Sequence, residues 1–163
     1  MSDTSLDTKI PSGSWTLYFH SPEESKWTLN TFVNFGKMST WGDFWAIMNN
    51  IKVATIADGM FFLMRDPIPP LWENFQNIRG GSYSFRLDKR DAGDGFINYA
   101  IALMINKLAS DSANIMNGMS ITPKKNFNIL KIWNTDAVKY NKNDDIAILT
   151  SDMIYTPFIE KKM

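Results

Sequence analysis

The sequence contains no cysteine and only one histidine among its 163 residues. Without cysteine, neither disulfide bonds nor thiolate metal sites can form. A single histidine, His20, is too few for a zinc site built on several imidazoles, and it makes a hydrolytic triad hard to assemble. The sequence therefore predicts no metal site and no cofactor.

Neither sign of charge predominates, since 17 Lys and Arg face 17 Asp and Glu. No overall field then draws the protein to nucleic acid or to a membrane, and anion binding must come from a local cluster. No run approaches the roughly 18 apolar residues that a membrane span needs. The polar N-terminus also lacks the apolar core of a signal peptide. We expect a cytoplasmic protein with no membrane partner.

Glycine-rich phosphate loops of the Walker or Rossmann type are also missing. The paired carboxylates Glu23-Glu24 and Asp144-Asp145 lie in polar loops, where solvated turn residues are the simpler interpretation. Nothing groups a nucleophile with a base and an orienting residue. The sequence thus favours a binding protein over an enzyme.

The periodicity predicts strands over 15–19, 27–35, 60–65, 82–87, 114–121 and 127–133, with weaker ones over 146–150 and 153–158. Thr40 and Asp43 fit a capping box at the start of a helix, Asp94 is the expected cap of a helix over 95–108, and 136–140 suits a short helix. Paired strands with interspersed helices indicate an α+β domain. We expect one curved antiparallel sheet of about seven strands with helices on its convex face. Residues 1–13 are predicted to be a disordered tail and 14–163 the folded, ligand-binding domain.

Aromatic residues make up 13% of the chain and include six tryptophans. Trp27 precedes a predicted strand, Trp72 lies in a proline-rich loop beside Glu73, and Trp133 ends a strand. Loop aromatics cannot all be core residues, because buried loops leave backbone polar groups unpaired. Two indoles can sandwich a flat ring, with base stacking worth about 1–3 kcal/mol each. A neighbouring carboxylate suits guanine, whose edge offers two adjacent N–H donors.

Four segments together resemble the eukaryotic translation initiation factor 4E family, whose members bind the 7-methylguanosine cap of messenger RNA. They are Trp27 before a strand, the DFWAIMNNI helix, PPLWE with RGG seven residues after its Trp, and a late strand ending in IW. The resemblance implies that Trp27 and Trp72 sandwich the methylated base. It further implies that Glu73 reads the N–H groups of the base, with its backbone N–H on the carbonyl oxygen, and that Trp133 touches the methyl group.

The basic positions of the family are only partly present. The Arg and Lys that precede the late Trp in the family correspond to Lys124 and Ile129, and the Arg after the double glycine corresponds to Ser82. The candidates for the cap triphosphate are then Lys124, Lys125 and Lys131. Lys131 shares a strand face with Trp133 by two-residue alternation.

The resemblance also implies a partner surface on the helices. Trp45 corresponds to the tryptophan that receives a partner peptide in the family, and Trp41 lies one turn earlier. The matching positions of the second helix are Asn98, Tyr99 and Ala102, which depart from the family's acidic and leucine residues. We expect a scaffold or regulator protein that docks an amphipathic helix here.

The sequence therefore predicts a protein that recruits capped messenger RNA for translation initiation. One alternative is a translational repressor that holds the cap without recruiting the scaffold. A second is a carbohydrate-binding module, since paired tryptophans also stack on sugars. That alternative leaves Glu73 and the lysines without a common task.

Overall fold

The computed structural model describes residues 4–140 and 153–159 of the chain. They form one seven-stranded sheet in the order β2-β1-β3-β5-β6-β4-β7, in which every neighbouring pair is antiparallel. The strands are β1 Trp15–His20, β2 Val33–Met38, β3 Met60–Arg65, β4 Gly81–Asp88, β5 Met116–Pro123, β6 Phe127–Asn134 and β7 Ile154–Pro157. The helices are α1 Thr4–Asp7, α2 Trp41–Ile51, α3 Val53–Ile56 and α4 Ala92–Met104, with 3₁₀ helices at Leu29–Thr31, Lys89–Asp91 and Ala137–Lys139. The predicted α+β fold is confirmed.

The sheet separates two apolar clusters, because alternate side chains of a strand point to opposite faces. On one face, Leu63 of β3 and Ile132 of β6 pack in a common core with Phe44 of α2 and Phe96 of α4. The cluster on the other face consists of Phe32, Phe62, Met64, Ile68, Trp133 and Phe158. The two long helices thus cover one face and leave the other to the loops.

The predicted capping box of α2 is confirmed. Thr40 accepts a hydrogen bond from the backbone N–H of Asp43, and Asp43 accepts from the backbone N–H of Thr40. Both partners lie within four residues, so local sequence is enough to specify this helix start.

Helix α4 starts and ends earlier than the predicted range 95–108. The 3₁₀ helix Lys89–Asp91 runs directly into it, so Asp94 lies within the first turn instead of at the cap. At the other end, Asn106 takes a left-handed φ of 59°, and the N–H of Lys107 donates to the carbonyl of Ala102 at 2.9 Å. This hydrogen bond closes the last turn in a common helix-ending motif.

The predicted strand over 27–35 is wrong in its first half. The hydroxyl of Thr31 donates to the carbonyl of Thr28 at 2.7 Å, and Thr28 also bonds to the side chain of Asn30. Such local bonds compete with sheet pairing and produce a turn. Pairing with β1 begins only at Val33, which leaves Trp27 in a loop.

The expectation of a disordered tail over 1–13 is wrong for its last residues. The N–H of Ile10 donates to the carbonyl of Ser39, that of Trp41 donates to Thr8, and the Ile10 side chain is buried in the core. An apolar side chain within reach of the core explains this order. The strand predicted over 146–150 lies outside the described residues.

The double glycine of the RGG segment is required by close backbone packing. A Cβ on Gly80 would lie 1.9 Å from the carbonyl oxygen of Asn134, and one on Gly81 would lie 2.5 Å from that of Thr156. Both positions admit only glycine without a backbone shift. The segment therefore fixes how the loop carrying Trp72 enters β4.

Candidate functional site

A cleft of about 260 Å³ opens on the face of the sheet opposite α2 and α4. Its floor comes from side chains of β3, β5 and β6, and its walls come from the loops before β2 and β4. The lining residues are Trp27, Met60, Phe62, Pro70, Leu71, Trp72, Glu73, Ser120, Thr122, Lys131, Trp133 and Phe158. Three tryptophans and Glu73, which are separated in sequence, therefore meet in one cleft.

Trp27 forms one wall of the cleft and keeps 44% of its surface exposed. One face of its indole stacks on the His20 imidazole, with ring centroids 3.7 Å apart and planes 5° apart. Phe32 and Phe62 meet the indole edge-on at 5.9 and 6.2 Å. The aromatic neighbours hold this ring in one plane and leave surface available to a ligand.

Trp72 forms another part of the wall and is half-buried. Its ring packs against Phe158, with centroids 6.2 Å apart and planes tilted by 31°. The backbone N–H of Phe158 donates to the carbonyl of Gly80 at 2.9 Å. Phe158, the residue after β7, thus packs against Trp72 and is itself anchored by a hydrogen bond to Gly80, the residue before β4.

The loop of Trp72 and Glu73 is held by the fully buried Asn77. The Asn77 amide donates to the carbonyls of Pro69 and Leu71 at 3.0 and 2.9 Å. Its side-chain oxygen accepts from the Asn117 amide at 3.0 Å. Buried amides that satisfy several partners make a loop rigid. Glu73 itself is exposed, with its carboxylate available at the cleft.

Trp133 lies at the floor of the cleft and is 5% exposed. Phe62 and Phe158 pack edge-on against its ring at 6.2 and 5.3 Å. Among the described residues, neither its indole Nε1 nor the nearby buried hydroxyl of Ser82 has a hydrogen-bond partner. Buried polar groups are normally paired, and the Trp133 N–H and the Ser82 hydroxyl depart from that rule.

The three candidate lysines do not lie together. Lys131 lines the cleft, on the same side of β6 as Trp133. Lys124 and Lys125 are exposed in the turn between β5 and β6, outside the residues that line the cleft. Lys131 is therefore the lysine best placed to meet an anionic part of a ligand.

The candidate partner surface is only partly exposed. Trp45 is 37% exposed and packs edge-on against Phe44 at 5.0 Å. Asn98 is exposed, whereas Trp41 and Ala102 are half-buried and pack against the core.

The placement of Tyr99 on the partner surface is corrected. Its side chain is 7% exposed and meets Phe85 at 5.1 Å, so it belongs to the core of the helical face. The large, mostly apolar ring of Tyr99 packs on the sheet, whereas the carboxylate of an acidic residue at this position would stay in water.

A larger cavity of about 730 Å³ lies beside the C-terminal end of α4. Its Arg65 donates to the carbonyls of Ser12 and Met116, and burial lowers the pKa of this guanidinium. The Arg65 guanidinium thus links the backbone at Ser12 to the backbone at Met116. The candidate tryptophans and Glu73 line the smaller cleft and not this cavity.

Within 4–140 and 153–159, no three His, Asp or Glu side chains come together as a metal site would require. Among the described helices, none is both long and apolar enough to cross a membrane.

Sequence reasoning missed three residues of the site, namely His20, Asn77 and Phe158. Their roles depend on contacts with Trp27, Leu71 and Trp72, which the fold brings together. The one available signal was the polar His20 at the end of an apolar strand, six residues before Lys26.

The sequence model of the family described as "Eukaryotic initiation factor 4E" matches residues 12–158. Eukaryotic translation initiation factor 4E-1A of Danio rerio is 28% identical over 139 residues, or 82% of this chain and 63% of that protein. Eukaryotic translation initiation factor 4E of Homo sapiens is 29% identical over 128 residues, or 75% and 58%. The chain thus spans about three fifths of the length of these curated relatives.

Solved structures show the same fold at lower identity. C. elegans eIF4E-3, in complex with the 4E-binding protein Mextli and a cap analog, superposes with a TM-score of 0.80 at 16% identity over 95% of both chains. Ascaris suum eIF4E-3 with the m7G cap gives a TM-score of 0.69 at 19% identity, over 81% of this chain and 76% of that one. Since the family model covers the sheet, both long helices and the whole cleft, the chain belongs to the eukaryotic initiation factor 4E family.

Proposed function

We propose that this protein binds the 7-methylguanosine cap of messenger RNA in the cleft between Trp27 and Trp72 and recruits capped transcripts for translation initiation. The observation that carries the proposal is the meeting of two loop tryptophans and the exposed carboxylate of Glu73 around one cleft. The family and the m7G cap in the Ascaris suum eIF4E-3 structure support the same ligand. The role is one of binding in the cytoplasm, without catalysis.

The chemistry of the ligand fits the cleft. Methylation at the seven position makes the base cationic, and a cation over an indole face gains about 0.5–2 kcal/mol, more when it is desolvated. Trp27 and Trp72 would hold the base between them, with Trp133 beneath its methyl group. Glu73 would accept the ring and amino N–H groups in a charge-assisted pair.

The triphosphate would extend towards Lys131, the lysine that lines the cleft. Lys124 and Lys125, on the neighbouring turn, would add a positive field at longer range.

The helical face would serve a protein partner. The exposed part of Trp45 lies on the side of the sheet opposite the cleft, so cap and partner would bind without competing. A scaffold or regulator that presents an amphipathic helix suits this face. The 4E-binding protein in the C. elegans complex supports a partner of this kind.

A titration of tryptophan fluorescence tests the cap proposal. We expect 7-methyl-GTP to quench the emission and to bind at least about tenfold more tightly than GTP, because one decade corresponds to about 1.4 kcal/mol. A neutral sugar should not compete. Equal affinity for the two nucleotides would refute cap binding, and saturable sugar binding would favour the carbohydrate alternative.

The variant Glu73→Gln tests how the base is read. Loss of one charged acceptor should cost about 2–4 kcal/mol of 7-methyl-GTP affinity while thermal stability stays unchanged, since Glu73 is exposed. The matched control Asp94→Asn removes an exposed negative charge from α4, and should leave affinity unchanged. Similar affinities for both variants would contradict the assigned role of Glu73.

A further inference from the structure

His20 stands directly behind the wall of the cleft that Trp27 forms. It is the last residue of β1 and is fully buried, whereas Trp27 is 44% exposed. The two rings are parallel within 5° at a centroid distance of 3.7 Å, which is full face-to-face contact. One face of the indole is therefore occupied by the protein itself.

Both nitrogens of the His20 ring lie within hydrogen-bond distance of carbonyl oxygens in the loop that leads to Trp27. Nδ1 lies 3.0 Å from the carbonyl oxygen of Ser21, and Nε2 lies 2.8 Å from that of Lys26. Both neighbours are acceptors, so the ring N–H donates to one of the two carbonyls, and the tautomer decides which one. His20 thus lies against the loop at both Ser21 and Lys26 and donates a hydrogen bond to one of them.

An aromatic neighbour restricts the orientation of the His20 ring. Phe32 meets the imidazole edge-on at 4.7 Å and also meets the edge of Trp27. Tilting the His20 ring out of the plane of the stack would break its contact with Trp27 and its hydrogen bond to the loop. The indole of Trp27, on a loop without sheet pairing, depends on this support for its plane.

We propose that His20 is a positioning residue of the cleft, which holds the Trp27 indole ready for the flat base before the ligand arrives. The inference rests on the proposed cap binding and adds a residue that never touches the ligand. Ordering a free tryptophan upon binding costs affinity, and a ring fixed beforehand avoids that cost. Removal of His20 should therefore weaken 7-methyl-GTP binding about three- to tenfold.

A double-mutant cycle on 7-methyl-GTP affinity tests the inference. The four proteins are the wild type, His20→Ala, Trp27→Ala and the double variant. We expect His20→Ala to weaken binding in the wild type but to have no further effect once Trp27 is absent, because His20 acts through that ring. His20→Phe keeps a flat ring behind the indole and should recover part of the loss.

Met48→Ala is the matched control for general destabilisation. Met48 is buried on the helical face, far from the loop, so its truncation should lower the melting temperature without changing affinity below the transition. Should His20→Ala fail to fold, His20→Gln replaces it in the cycle, since glutamine keeps a donor and removes the stacked ring.

The outcomes separate the two proposals. A wild type that does not prefer 7-methyl-GTP over GTP overturns cap binding, and the role of His20 with it. A wild type with that preference, combined with unchanged affinity in the His20 variants, overturns the positioning role alone. An equal loss in the presence and absence of Trp27 also overturns it, since His20 would then act through the fold as a whole.

Discussion

Replacing Asn77 with alanine is expected to loosen the loop that carries Trp72 and Glu73. Asn77 is fully buried, and its side chain makes three hydrogen bonds, to Pro69, Leu71 and Asn117.

The magnitude follows from the fate of the three partners. A typical hydrogen bond contributes about 1 kcal/mol net to the free energy of unfolding, so the three bonds of Asn77 together contribute about 3 kcal/mol. Pro69 and Leu71 are only half-buried, so water can reach their carbonyls and recover part of this. The buried Asn117 amide keeps its second acceptor, the carbonyl of Gln76 at 2.8 Å. We expect a loss of about 2–3 kcal/mol in the free energy of unfolding.

Urea denaturation measures the global loss, and amide hydrogen exchange locates it. The N–H groups of Ile78 and Gly80 bond to carbonyls within the loop and should exchange faster in Asn77→Ala than in the wild type. Asn126→Ala is the control, because Asn126 is exposed in the turn between β5 and β6. A change below about 0.5 kcal/mol, with unchanged exchange in the loop, would refute the reasoning.

Two further predictions concern the helical face. Trp45→Ala should leave 7-methyl-GTP affinity within about twofold and abolish capture of a helical partner peptide, because Trp45 lies on the face opposite the cleft; joint loss of fold and cap affinity would contradict this. The backbone N–H groups of Ser39 and Thr40 donate hydrogen bonds to the Asp43 carboxylate and hold its pKa below the ordinary value. The carboxylate therefore stabilises the fold fully at pH values above the ordinary pKa, and this stabilisation is lost as the pH falls through the lowered pKa of the folded protein. Asp43→Ala should therefore be less stable than the wild type at pH 7 by a margin that shrinks below about pH 4 in thermal melts, and a margin independent of pH would exclude this role.

Elements with local signals could be predicted from the sequence. Strand β3 is an uninterrupted apolar run that ends at a proline-rich turn, and α2 starts at a capping box four residues long. The segment 27–35 misled because its alternation is real, while hydrogen bonds among Thr28, Asn30 and Thr31 favour a turn. Local polar bonds outweighed strand propensity there.

The site could be predicted only in its exposed parts. Trp27 and Trp72 stand out because large aromatic residues in loops cannot all be core residues, and Glu73 stands out because it adjoins one of them. The residues that hold them, His20 and Asn77, act across the fold, and no spacing in the sequence connects them to their partners. Tyr99 shows a different limit of sequence reasoning. It matches a surface position in the family, but its ring is apolar enough to pack into the core of this protein.

The cleft is more complete for the base than for the phosphates. Its aromatic walls rest on His20 and Phe158, and both supports are buried. On the phosphate side, Ser82 is buried where the resemblance implies an arginine, and Lys131 is the lysine that lines the cleft. Stacking and charge-assisted hydrogen bonds in a partly enclosed site are weakened little by salt, whereas contacts from exposed lysines are screened. Under the proposed function, recognition of the cap therefore depends chiefly on the methylated base and on the rigidity of the two tryptophans that enclose it.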